Sequence, residues 1–163
     1  MRLLLAFLLA GLTYAASAHA ATPGTPAPPF ALHTSSGETV SLAPLRGRVV
    51  YVDFWASWCG PCRRSFPWMN AMQARYGNDG LAIIGVNVDK RHADAERFLR
   101  DTPAAFTIVY DAEGATPRAY DVKGMPTSYL IDRHGDIAAV EEGFHDAHRD
   151  DVEARIRALL AQH

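Results

Sequence analysis

The sequence predicts an α/β sandwich with a mixed central sheet, and three observations predict it. Residues 48–55 (RVVYVDFW) and 81–88 (LAIIGVNV) are continuous β-branched and aromatic runs, the pattern of strands buried on both faces. Between them, Phe66, Met69, Met72 and Tyr76 recur at spacings of three and four, the period of an amphipathic helix. The chain then closes with a strand, a turn, a strand and an amphipathic segment. Strands alternating with helices demand a parallel core, and the closing hairpin adds antiparallel neighbours.

The elements follow in order. Residues 1–20 have a basic start at Arg2, an apolar run over residues 3–12 and a small-x-small site at Ala18-His19-Ala20, the pattern of a cleaved secretory signal. The apolar run is short for a membrane span, which needs roughly 20 residues. An uncleaved anchor is the alternative. Residues 21–29, with Pro23, Gly24, Pro26, Pro28 and Pro29, read as an extended tether outside the core. Residues 30–163 form one domain. It starts with a small hairpin, residues 30–32 and 39–42 around Ser35-Ser36-Gly37. After the strand at 48–55, residues 60–75 read as a helix, which Pro67 should kink because it removes a backbone donor. Residues 93–100 fit a helix, 107–110 a short strand and 115–120 a helical turn. The strands at 127–131 and 137–142 flank the turn 133–136, and residues 147–160 are the closing helix, with Val152, Ile156, Leu159 and Leu160 on one side.

Composition excludes several classes. The chain has 163 residues, 48% of them hydrophobic, 21% charged, with a formal charge of −2, which is the balance of one soluble globular domain. No basic excess marks a nucleic-acid partner. Two cysteines neither staple a disulfide-rich mini-domain nor complete a four-cysteine zinc site. Export would place the chain in the periplasm, or on the outer face of a bacterial membrane, where disulfide chemistry is the default use of a cysteine pair. Cys59-Gly60-Pro61-Cys62 closes too small a ring to remove much entropy from the unfolded chain, so redox chemistry is favoured over stapling.

At the motif itself, residues 52–62 (VDFWASWCGPC) resemble the active-site strand and turn of thioredoxins, and Pro67 matches the proline that kinks the following helix. Gly124-Met125-Pro126-Thr127 resembles the loop that carries the family's cis-proline. The N-terminal hairpin, the export pattern and an insertion around residues 90–103 narrow the resemblance to the exported TlpA/ResA group of thiol–disulfide oxidoreductases. The resemblance spans about residues 30–160. It implies a thioredoxin-like three-layer sandwich with an N-terminal β-hairpin extension, working without a cofactor or bound metal as a monomer. The implied activity is that of a protein disulfide oxidoreductase, in the reducing direction, possible settings being cytochrome c maturation or copper-site assembly. The implied partners are exported proteins with cysteine pairs and a membrane thiol reductant of the DsbD/CcdA type.

The chemistry follows from placement. Cys59 precedes a helix that starts near Gly60, where free N–H groups and the helix dipole stabilise a thiolate, so its pKa should fall below the free value of roughly 8.5. Cys62 lies one turn deeper on the same side and would resolve the mixed disulfide formed at Cys59. Pro61 suits the first helical turn because it has no donor to lose. Gly60 and Pro61 between the cysteines match reducing thioredoxins. Asp53 interrupts an apolar strand, and an unpaired buried carboxylate has a raised pKa. This suits a proton shuttle for Cys62 and matches the buried aspartate of thioredoxins; a satisfied polar residue at a strand end is the alternative.

By resemblance, Pro126 faces the cysteines in the cis form, the Met125 backbone pairs with an extended substrate segment, and Gly143 lies in the partner-receiving rim. Trp58 should shield one side of the site, while Trp55, Met69 and Met72 read as core. Arg63 and Arg64 either favour the thiolate, choose acidic partners or are plain solvated charge. One departure stands out: ResA-like proteins often carry a glutamate three residues after the second cysteine, where this chain has Ser65. Three alternatives remain: a disulfide-forming oxidant, a copper or zinc chaperone using Cys59, Cys62 and His145 or His148, and a peroxidase, whose Thr-x-x-Cys site is missing.

Overall fold

The computed structural model describes residues 21–162; the signal-peptide and anchor readings of residues 1–20 lie outside them. A hairpin, β1 (Ala31–His33) and β2 (Thr39–Ser41), precedes the central strand β3 (Val49–Trp55). There follow α1 (Gly60–Tyr76), β4 (Leu81–Asn87), α2 (His92–Asp101), β5 (Thr107–Tyr110) and a short α3 (Ala115–Ala119). The strands β6 (Thr127–Ile131) and β7 (Ile137–Glu142) lead to α4 (Arg149–Leu160), entered through a 3-10 turn at Asp146–His148. Every element expected from periodicity is present, with ends shifted by one or two residues.

The seven strands form one sheet in the order β2-β1-β5-β4-β3-β6-β7. β3, β4 and β5 run parallel, and β6 and β7 add antiparallel, so the sheet is mixed as expected. Both parallel crossovers step the same way across the sheet. Their right-handedness therefore puts α1 and α2 on one face, and α4 joins them there.

Alternation along β3 sorts the two cores. Val49, Tyr51 and Trp55 pack with Cys62, Phe66 and Met69 of α1, Phe98 of α2 and Ile156 of α4. Val50, Val52 and Phe54 pack on the other face with Val86, Val109, Tyr120, Tyr129 and Phe30. Trp55 stacks edge-on against Phe66 at 5.0 Å and tilted against Phe98 at 4.8 Å, so its part is packing, as are those of the buried Met69 and Met72. It comes this close to β4 because Gly85 has no side chain: a Cβ there would lie 3.1 Å from Trp55 Nε1 and 2.8 Å from Ile108 Cδ1.

The proline-rich lead departs from the tether reading. Its backbone docks on the β6–β7 turn, Gly24 N–H donating to Ile137 O (2.8 Å), Ala27 N–H to Gly135 O (3.0 Å) and Ile137 N–H to Thr25 O (2.9 Å). Ala21 and Phe30 are buried at its two ends. Prolines lack donors, but the residues between them keep theirs, and the end of the sheet offers partners.

Candidate active site

β3 ends at Trp55 and the chain turns outward through residues 56–58 before α1 begins. The turn is held from β4. Ser57 donates twice to Asp89, N–H to Oδ2 and the hydroxyl to Oδ1, both at 2.9 Å. Asn87 Nδ2 donates to Asp89 Oδ2 (2.8 Å), and Asp89 N–H returns a bond to Asn87 Oδ1 (3.1 Å). Asp89 is thus a buried anchor for the active-site turn. It escaped the sequence analysis, although a polar pair at the end of the apolar run LAIIGVNV was its signal.

Cys59 is the N-cap of α1, and its Sγ accepts the Cys62 N–H at 3.2 Å. A sulfur at this place lies where the free N–H groups of the first turn converge, which favours its thiolate when the disulfide is opened. Cys59 and Cys62 are disulfide-bonded, with S–S 2.04 Å and Cα–Cα 5.3 Å. Cys62 is fully enclosed, whereas Cys59 sits between the exposed Trp58 and Gly60, so a partner meets Cys59 first. Trp58 is the one large hydrophobic side chain exposed among the described residues, at 71%. It stands out from the turn as a flank of the site. Pro61 occupies the first helical turn, as expected.

Asp53 is 1% exposed and shares the α1-facing side of β3 with Tyr51 and Trp55, the side that holds both cysteines. Opposite it in register are Ser128 of β6 and Gly85 of β4. Its Oδ1 accepts the Ser128 hydroxyl at 2.7 Å, while Oδ2 is buried with no hydrogen-bond partner among the described residues. Burial pushes its carboxyl up to about 7, and the Ser128 hydrogen bond counters part of that rise. An acid that titrates near neutrality can both take and return a proton. Ser65 supplies no second acid: it is buried and its hydroxyl donates to Cys62 O at 3.1 Å, within its own helix.

The Met125–Pro126 bond is cis, as the resemblance implied. Thr127 pairs with Phe54, so Pro126 lies level with the end of β3, and Met125 packs against the cluster that holds both cysteines. Thr127 Oγ1 donates to Gly124 O (2.8 Å), and Gly143 N–H donates to Pro126 O (2.8 Å), so the loop is braced from both sides. Gly143 has φ +76°, and a Cβ there would lie 3.1 Å from His145 Nε2, so the position requires glycine. Arg63 is engaged by α2 and the residue that follows it: its guanidinium lies 4.7 Å over Phe98 and reaches Thr102 Oγ1 at 3.4 Å. Arg64 is exposed. The His145 and His148 rings are 5.3 Å apart, yet among the described residues no three His, Cys, Asp or Glu side chains are grouped to hold a metal ion.

A buried strand carrying Asp53, a cysteine pair capping a helix and a cis-proline beside it form one constellation. The Redoxin family model matches residues 22–156. The chain belongs to the Redoxin family. Within it, the chain is similar to the thiol–disulfide oxidoreductase ResA of Geobacillus kaustophilus, 32% identical over 136 residues, 83% of this chain and 77% of that one. It is 34% identical to ResA of Geobacillus thermodenitrificans over 146 residues, 86% of this chain and 84% of the relative. Among solved structures, a Chlorobium tepidum chain bearing the name thiol:disulfide interchange protein DsbE matches with TM-score 0.83 and 51% identity, over 85% of this chain and 98% of that chain. The TlpA/ResA-like protein is therefore a thiol–disulfide oxidoreductase with a thioredoxin-like fold, and its substrates are cysteine-containing proteins.

Proposed function

We propose that the protein works in the periplasm as a reductase of cysteine pairs in other exported proteins. The observation that carries the reading is Cys59 at a helix N-cap, 3% exposed between the exposed Trp58 and Gly60, backed by a fully enclosed Cys62 and the buried Asp53. The Cys59 thiolate attacks one sulfur of a substrate disulfide, and the other substrate sulfur leaves as a thiolate. Cys62 gives its proton to Asp53 and attacks Cys59 Sγ. The remaining substrate sulfur leaves, and the Asp53 proton is free to return to it. Two electrons have then passed to the substrate, and the Cys59–Cys62 disulfide remains. With only two cysteines in the chain, no internal thiol can reopen that disulfide. The reductant must be another molecule, and a membrane thiol carrier of the DsbD/CcdA type fits the exported setting. The export pattern of residues 1–20 supports the compartment. Cytochrome c maturation or copper-site assembly is the setting we favour, with the protein acting as a monomer.

Insulin disulfide reduction tests the activity, and Cys59→Ser should abolish it. Cys62→Ser, expressed in the native periplasm, should accumulate mixed disulfides whose partners name the pathway; a variant that traps none would overturn the order of attack. Direction is read from the redox potential. A value on the order of −220 to −270 mV supports a reductase, whereas about −120 mV would make the protein an oxidant.

A further inference from the structure

In the thiol exchange just described, Asp53 needs one carboxylate oxygen free and the other held, and a single side chain of β6 does the holding. Ser128 stands opposite Asp53 in the β3–β6 register, so their side chains emerge on the same face. Its hydroxyl donates to Oδ1 at 2.7 Å, and it is 4% exposed. Oδ2 is left without a partner among the described residues. Nothing in the residue pattern TSYLI of β6 requires a hydroxyl at this position for packing, since its neighbours on that face, Tyr51 and Leu130, are core residues.

We propose that Ser128 is a positioning residue for thiol exchange: it pins Oδ1 of Asp53, so that Oδ2 is the oxygen that takes the Cys62 proton and releases it to the departing substrate sulfur. The inference rests on the reading of Asp53 as the proton acceptor. The step balances simply. The Cys62 S–H bond breaks, an O–H bond forms at Oδ2, and the electron pair left on sulfur forms the new bond to Cys59 Sγ as the substrate thiolate departs.

The other polar groups around the pair are few. Tyr51, two residues before Asp53 on β3, lies on the same face, and burial, reinforced by the nearby Asp53 carboxylate, keeps that phenol in its neutral form. Glu141 of β7 pairs with Ser128 in register but is engaged by Arg155 of α4 at 3.1 Å. From α1 come Cys59 and Cys62, and β4 contributes Gly85, with no side chain. Ser128 is thus the donor that favours the ionised Asp53.

The test reads the Asp53 carboxyl directly, by 13C NMR titration of the reduced protein, beside the pH profile of insulin reduction. Loss of a hydrogen bond to a charged group should raise the Asp53 midpoint by about one pH unit in Ser128→Ala. The acid limb of the rate profile should move up with it, lowering the rate at pH 7 by roughly fivefold. Ser128→Thr keeps the hydroxyl and should restore both. An unmoved midpoint in Ser128→Ala, or a Thr variant that behaves like Ala, would overturn the proposal. Failure of the reductase reading would be seen separately, as absence of insulin reduction by the unaltered protein.

Discussion

Asp53, inside the sandwich, and Asp111, in the turn after β5, are both buried aspartates, 1% and 5% exposed, and their carboxylates meet opposite conditions. Asp111 follows β5 and caps the start of α3. Gly114 and Ala115 N–H groups donate to its Oδ1 at 2.8 and 3.3 Å, and Thr116 N–H to its Oδ2 at 2.6 Å. Burial opposes its charge, but these donors outweigh burial and hold the carboxyl below its ordinary value. Among the described residues Asp53 has one hydroxyl donor and an orphan oxygen, and burial pushes it up to about 7. Burial alone therefore does not make an acid reactive; the depth of burial and the number of donors decide together. The same fold satisfies one aspartate and leaves the other short, and the one left short is on the face of β3 that holds the cysteine pair.

The largest expected effect comes from removing the unsatisfied charge. Asp53 binds its proton more tightly folded than unfolded, so its stabilising contribution is complete below pH 3.8 and lost as the pH rises through about 7. At about 1.4 kcal/mol per pH unit, Asp53→Asn should stabilise the protein at pH 8 by up to about 4 kcal/mol, with no gain at pH 3.5. Urea unfolding at the two pH values checks this, and an equal difference at both would break the contrast with Asp111. The same variant should slow insulin reduction at neutral pH.

Asp111→Ala should act with the opposite sign. It strands the N–H donors of the α3 turn and should cost about 2–3 kcal/mol. Its lowered value places that contribution above the unfolded pKa, so the penalty shrinks as the pH falls through the acidic range. Insulin turnover per folded molecule should be unchanged. Next, Gly85→Ala would push a methyl against Ile108, Phe106 and Trp55 beside Asp53, and should destabilise by about 1–3 kcal/mol. The smallest effect is expected for Arg63→Ala. It removes a half-solvated stacking contact on Phe98 and should lower stability by less than about 1 kcal/mol, with the reaction rate unaltered. A marked rate loss would instead tie Arg63 to the thiolate.

Much of this was legible from residue order. The strands β3 and β4 are read from apolar runs, α1 from its period, and the roles of Cys59 and Cys62 from their places before and inside a helix. Asp53 is legible because a lone acid in RVVYVDFW has no local partner. What escaped reading depends on register and on contacts across long stretches of chain. Ser128 meets Asp53 only because β6 lies antiparallel to β3, 75 residues apart in sequence. Asp89 reaches Ser57 across 32 residues. Arg63 looked like a neighbour of the thiols and is engaged by Phe98 on α2. The lead over residues 21–29 looked free of the core until the β6–β7 turn offered it partners.

The sequence by itself determined the α/β class, the order of the elements, the redox pair and the acid behind it. These rest on local periodicity, helix-start chemistry and the cost of burying a charge, all of which act within a few residues. Only the tertiary structure decided how deeply each acid is buried and how many donors it receives, and so which of two aspartates titrates near neutrality. Hydrogen bonding in the core is a matter of which strands lie side by side, and the register of β3 against β6 left Asp53, among the described residues, with one donor and an open oxygen.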